Sequence, residues 1–313
     1  MKNLFSYSVY QELSDLSPDL EGLFSEIRCD GLELLTSHTP VDPSFAPYTK
    51  TVHLPYTTDW LCAWEGRPYD MPEEYVKYYM YGRDREEIAD TVRNMIWCAE
   101  PLHPAHGVIH ACNIDIPELR LRSYSKDSKY VLEKFCDMIN TVASGFPGGE
   151  PPFKLVFENL WWPGLRMKDS SDYHLMSRKL EFENWGICLD TGHLMNTIPG
   201  LNSESDCIDV VNRIIDGYST DVIDTISAMH FHYSASGDYR ANFEEVRCDT
   251  DDIMGFIRSC YHHINTLDQH LPFSDPRCRE IVDRIGPENL IHELPGRKTS
   301  PIEDYVQQRS LFD

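Results

Sequence analysis

Apolar and polar positions alternate between two textures along the chain. Short runs dense in leucine, valine, isoleucine and aromatic residues are separated by longer stretches whose apolar positions recur every three or four residues. The short runs predict eight strands, at 4–10, 31–37, 51–56, 107–113, 154–160, 186–190, 226–233 and 289–294. The longer stretches predict helices at 13–27, 84–98, 128–142, 171–182, 206–217, 251–267, 276–285 and 301–311. Ser17-Pro18 offers a cap and a first helical position in the first of them, and acids open the helix at 84–98.

Strands alternating with helices define the α/β class with a parallel sheet. Eight such units without a low-complexity linker predict one (β/α)8 TIM barrel spanning residues 1–313 as a single domain. Two connections are long. Residues 57–83 carry seven aromatics, and residues 160–172 begin Leu-Trp-Trp-Pro. Both follow strand C-termini, the face on which barrel active sites are built, so they are expected to roof a site.

Composition narrows the setting. Ten cysteines without a Cys-x-x-Cys pair read as reduced, mostly buried thiols of a cytoplasmic protein. The first residues lack a basic-then-apolar leader, and no apolar run reaches membrane-spanning length, so neither secretion nor a membrane partner is expected. With 51 acids against 28 bases the formal charge is −23, which repels phosphate backbones and makes nucleic acid a poor partner.

The candidate chemistry lies at the strand ends. The run Gly186-Ile-Cys-Leu-Asp190-Thr-Gly-His193 ends a buried strand in a carboxylate, turns on glycine and presents an imidazole. Glu158-Asn159, His230-Phe231-His232 and His292-Glu293 close three further runs in the same way. A carboxylate buried at a strand end is costly unless a positive group lies beside it, so four such ends converging suggest a shared divalent metal. Carboxylates with one imidazole make a mostly hard donor set, suited to Mn²⁺ first, with Co²⁺, Mg²⁺ and Zn²⁺ as alternatives. Such a site could polarise a hydroxy-carbonyl substrate while a glutamate on each side moves the neighbouring proton.

Six segments in order carry a resemblance over nearly the whole chain. They are Asp30-Gly-Leu-Glu33, Val52-His-Leu-Pro-Tyr56, Val156-Phe-Glu-Asn159, Leu189-Asp-Thr-Gly-His193, the His-x-His at 230–232 and Ile291-His-Glu-Leu294. Together they resemble the xylose-isomerase-like TIM barrels, which include sugar epimerases, inosose dehydratases and the endonuclease IV type of repair enzyme. The resemblance implies a metal held by Glu158, Asp190, His232 and Glu293, with His230 the alternative to His232. It makes Glu158 and Glu293 the acid/base pair, and His193, His53, His110 and Glu33 substrate-side residues. Trp162 is expected in the substrate wall, and Arg240, with Arg166 and Lys168, is a candidate grip for an anionic group.

The function so implied is isomerisation or epimerisation of a small polyhydroxylated carbonyl compound such as a sugar, sugar phosphate or inosose. Barrels of this kind often pair, which makes a homodimer the natural assembly to test for. The sequence departs from the epimerase pattern at Asp238, where an arginine is expected, and at Ala235, where an acid is. The endonuclease pattern, with three zinc ions, is matched at His53, His110, Glu158, Asp190, His193, His232 and Glu293. It also needs an Asp-x-His pair after strand seven, and residues 234–252 contain no histidine. A multinuclear hydrolase, an iron-dependent oxygenase and a non-catalytic binding protein are therefore the alternatives.

Overall fold

The computed structural model describes residues 1–248 and 252–313. Eight parallel strands close into one barrel in sequence order: β1 (Lys2–Ser8), β2 (Gly31–Leu35), β3 (Thr49–His53), β4 (His106–His110), β5 (Lys154–Glu158), β6 (Trp185–Asp190), β7 (Ile226–His230) and β8 (Asn289–His292). β1 pairs with both β2 and β8, which closes the ring. The expected TIM barrel is the observed fold.

Period-two alternation fixes what each strand contributes. Leu4, Val108, Val156, Cys188, Ala228 and Ile291 form a separate buried cluster that fills the barrel interior. The intervening positions join the larger core between sheet and helices, where Phe5, Ile109, Phe157, Leu189, Met229 and Leu290 are buried. Two residues beyond an interior apolar position, the same inward face carries His110, Glu158, Asp190, His230 or Glu293. The polar layer therefore sits directly on an apolar floor, at the C-terminal end of the sheet.

Several boundaries differ from the sequence expectation for local reasons. The helix expected at 13–27 is two pieces, Leu13–Leu16 and Leu20–Glu26. Pro18 lies between them, where it lacks an N–H and disfavours a helical Ser17, and Asp19 starts the second piece by accepting from the Gly22 N–H at 2.9 Å. The strand expected at 226–233 ends at His230. The helix expected at 251–267 runs Ile253–Leu267, and its expected first residue lies outside the described residues. No described helix is long and apolar enough to cross a membrane.

The 57–83 connection is partly helical, with Trp60–Trp64 and Glu73–Tyr79, and Asp59 pins it to the barrel top. The Asp59 carboxylate is fully buried and accepts from the Cys62 and Ile116 N–H groups, the Asn113 amide and the Tyr69 hydroxyl. Burial, then the charge of Asp115, pushes its pKa up to about 6, against the pull of its Tyr69 and Asn113 hydrogen bonds. Trp60 in turn donates from Nε1 to the Cys112 carbonyl at 2.8 Å. Asp59→Ala leaves several buried donors without an acceptor and is expected to cost about 2–4 kcal/mol. Urea denaturation checks this, and an unchanged midpoint would mean that Asp59 does not anchor the roof.

Candidate metal centre

Glu158, the last residue of β5, is 1% exposed. An isolated carboxylate at that depth would be strongly destabilising, and here it is surrounded by imidazoles. Its Oε2 lies 3.1 Å from His53 Nε2 and 3.1 Å from His110 Nε2. Its Oε1 lies 3.0 Å from His230 Nδ1 and 3.2 Å from His193 Nδ1. Burial alone would raise the Glu158 pKa, but His230 and His110 hold it well below the usual range. The two oxygens of one side chain thus face two different donor groups.

The first group is His53, His110 and Glu158. His53 donates from Nδ1 to the Leu54 carbonyl at 2.8 Å, and its Nε2 faces Glu158 Oε2, whose hydrogen bond and charge raise the ring's pKa against burial. The second group is Glu158, Asp190, His230 and Glu293, whose ligand atoms lie within 4.8 Å of one another. His230 Nδ1 is 3.7 Å from Asp190 Oδ2 and 3.4 Å from Glu293 Oε2. Behind it, His230 Nε2 meets Glu33 Oε1 at 2.7 Å, and Thr51 donates to the other Glu33 oxygen at 3.0 Å. A carboxylate on the far nitrogen fixes an imidazole's orientation and raises its basicity.

A third group comprises His193, Asp268 and His270. His193 Nε2 and His270 Nε2 approach Asp268 Oδ2 at 3.1 and 2.7 Å. Each ring donates from Nδ1 to a carbonyl, of Asn159 and of Glu293 respectively, at 3.0 Å. His232, His270 and Glu293 form a fourth, overlapping group. His232 stacks on His270 at 4.0 Å between ring centroids and reaches Asp190 Oδ2 with Nε2 at 3.0 Å. Its Nδ1 is buried and has no partner among the described residues.

Local sequence explains the placement. Asp190 caps the helix Thr191–Asn196 by accepting from the His193 N–H at 2.6 Å, so one oxygen is held by the fold and the other faces the site. Asn159 ties β5 to β6, since its amide donates to the Asp190 carbonyl and accepts from the Asp190 N–H. Gly192 is required by close approach: a Cβ there would lie 2.2 Å from the His232 ring.

The expected tetrad is thus arranged differently from the sequence reading. Glu158, Asp190 and Glu293 converge, but the imidazole among them is that of His230, while His232 sits one layer higher beside His270. His193, His53 and His110 are in the cluster. Glu33 stands behind His230. Trp162 lines a cavity of about 1010 Å³ above the site, together with Trp161, Tyr56, Tyr78 and Tyr261. Arg240 does not line that cavity. Asp268 and His270 carry no strand-end signature in the sequence. Asp268-Gln269-His270 has the Asp-x-His form that residues 234–252 lack, and it follows the helix Ile253–Leu267.

The donor chemistry fits divalent metal. Glu158, Asp190, Asp268 and Glu293 converge with six histidines, and among the described residues none of the four carboxylates forms an ion pair with a lysine or arginine. Burial opposes charge on His193, His230 and His270, yet Cys188 and carboxylates beside His230, and carboxylates beside the other two, raise all three pKa values, that of His270 to about 9. Protons on these rings neutralise the carboxylates where cations would otherwise do so.

In known proteins the same barrel recurs. Endonuclease IV from Thermus thermophilus superposes with a TM-score of 0.55 at 13% identity, covering 100% of this chain and 99% of that one. A D-tagatose 3-epimerase-like protein gives 0.53 at 16%, covering 100% and 96%. The 3-keto-D-glucoside 4-epimerase of E. coli gives 0.51 at 12%, covering 99% and 98%. No family model matches the chain, and no curated protein matches it in sequence. The chain shares the (β/α)8 TIM-barrel fold of these proteins. The structures that share it include epimerases, a probable dehydratase and an endonuclease.

The pKa directions set the stability of the metal-stripped protein. Asp268 lies well below its ordinary 3.8, so its contribution is present above pH 3.8 and lost on acidification through its folded value. His270 is raised, so its contribution is complete below pH 6.5 and lost as pH rises through about 9. Stability without metal is therefore expected to be greatest between about pH 4 and 6.5 and to decline toward pH 9. Denaturation midpoints in chelator across this range test it, and a flat profile from 6.5 to 9 would contradict the pairing.

Proposed function

We propose that the chain is a multinuclear divalent-metal hydrolase that cleaves a phosphate ester of a small molecule. The observation that carries this reading is Glu158, whose two oxygens face two separate donor groups, with a third group built on Asp268 next to them. That is the placement of a bridging carboxylate. A proton-shuttling glutamate of an epimerase needs an oxygen free to meet a substrate C–H, and both Glu158 oxygens are already taken from opposite sides by pairs of imidazoles.

The donor groups divide the roles. His53, His110 and Glu158 would hold one ion, Glu158, Asp190, His230 and Glu293 a second, and His193, Asp268 and His270 a third. Bound metals at such a site supply Lewis acidity and lower the pKa of water, which suits attack at phosphorus. Glu293 has the most exposed carboxylate of these groups and borders the cavity, so with Oε2 turned to His230 its other oxygen would accept a proton from the attacking water. A bond forms from that water oxygen to phosphorus as the ester P–O bond breaks, and the departing alkoxide takes a proton from solvent. Tyr56 stacks on His110 at 4.7 Å between ring centroids and Trp161 packs on His193 at 5.1 Å, and together they limit solvent access.

The substrate is read as small because Arg297 is the one lysine or arginine among the described residues lining the cavity, and a charge of −23 opposes a polyanion. Metal content separates this reading from the isomerase expected from sequence. Protein purified without chelator is expected to carry about three divalent ions per chain, and Asp268→Ala about one fewer. Glu158→Gln is expected to lose metal along with hydrolysis of p-nitrophenyl phosphate. One ion per chain, with full metal and lost sugar interconversion in Glu158→Gln, would establish the isomerase instead.

A further inference from the structure

Away from the metals, the loops after β4, β5 and β7 bring together a second kind of chemistry. The segment following β7 crosses the barrel top to the loop after β4. There the Val246 N–H donates to the Arg120 carbonyl at 3.2 Å, and Arg122 donates to the Phe243 carbonyl. Arg240 lies on the helix Gly237–Asn242 of this crossing segment, and Arg166 on the loop after β5. Tyr124, from the loop after β4, interacts electrostatically with both.

These arginines lack what buried arginines usually have. Both are partly buried, and neither guanidinium makes an ion pair or a hydrogen bond to any described residue. Arg166 Nε and Arg240 Nη1 are sealed from solvent without an acceptor among those residues. The acids near in sequence make no hydrogen bond to either guanidinium, although the charge of Asp172 acts on Arg166. Asp172 Oδ2 accepts from the backbone N–H groups of Arg166 and Met167, and Asp238 Oδ1 from the Asn202 amide. Burial lowers the Arg240 pKa, Tyr124 raises it and the charge of Arg166 lowers it, so the two cations repel each other. Two half-buried, mutually repelling guanidiniums, each with one sealed nitrogen that lacks an acceptor, destabilise a fold unless an anion completes them.

We propose that Arg166 and Arg240, with the Tyr124 hydroxyl, form an anion-binding site outside the metal cavity, for a phosphate or carboxylate group. Guanidinium forks match the two oxygens of such groups, and their weak hydration suits a half-buried setting. The site does not depend on the hydrolase reading. The anion is either a distal group of the substrate or a separate ligand, and the two are separable by experiment.

The test is titration of the purified, metal-containing protein with inorganic phosphate by calorimetry. The native chain is expected to show a class of sites that weakens by about tenfold or more in Arg166→Gln/Arg240→Gln, with metal content unchanged. In phosphate-free buffer the double variant is expected to melt at the same temperature as the native chain or higher. Identical isotherms for the two proteins, or a lower melting temperature without phosphate, would overturn the site, the latter by showing the guanidiniums to be structural. Arg166→Lys/Arg240→Lys keeps the charge and is expected to bind phosphate with intermediate affinity, which guards against misfolding of the glutamine variant. Loss of preference for a bisphosphate over a monophosphate would identify the substrate's own group. An unchanged KM with lost response to added phosphate would identify a separate ligand.

Discussion

The burial of one carboxylate governs this molecule. Glu158 ends β5 at the bottom of the cavity, 1% exposed, where no water shell can stabilise its charge. The chain answers with His53 and His110 on one oxygen and His193 and His230 on the other. Each imidazole then needs its remaining nitrogen held. The Leu54 carbonyl serves His53, Asp268 serves His193, and Glu33 serves His230. The demand passes outward once more, because Glu33 is itself buried and its own pKa is kept low by His230 and His106 against the effect of burial. A polar network of this kind stays stable only when complete, and so it specifies its own geometry.

The barrel makes such a network simple to encode. Alternation along a strand requires only that an inward apolar residue be followed, two positions on, by a ligand. Val108 and His110, Val156 and Glu158, Cys188 and Asp190, Ala228 and His230, and Ile291 and Glu293 all follow that rule. Six interior apolar side chains plug the barrel beneath, so the polar layer is open to the cavity alone. Strand pairing fixes the heights: Glu158 lies opposite His110 on one side, and Asp190 lies opposite His230 on the other.

That rule also marks where the sequence could be read and where it could not. Barrel, strand order and most inward-facing site residues are written in short-range periodicity, which survives without tertiary information. Parity places both His230 and His232 on the inward face, but it carries no height. Choosing between them requires knowing that Ala228 is a floor residue, so that the ligand layer begins at His230. Asp268 and His270 are invisible for a different reason. They lie on no strand, and the helix Ile253–Leu267 and its approach separate them from β7, so no local spacing links them to the site. The break at Pro18, by contrast, follows from backbone chemistry that the sequence does display.

The same network bears on why a strongly acidic chain would gather still more acids at one point. Four carboxylates within a few ångströms repel each other, and at neutral pH the raised histidines offset them only while protonated. Metal binding would remove that conflict by displacing protons from rings that Leu54, Asn159, Glu33 and Glu293 have already oriented. The double engagement of Glu158 would then follow from the same cause. The buried donors could accept cations in place of those protons, and their hydrogen bonds already fix the rings that would hold them.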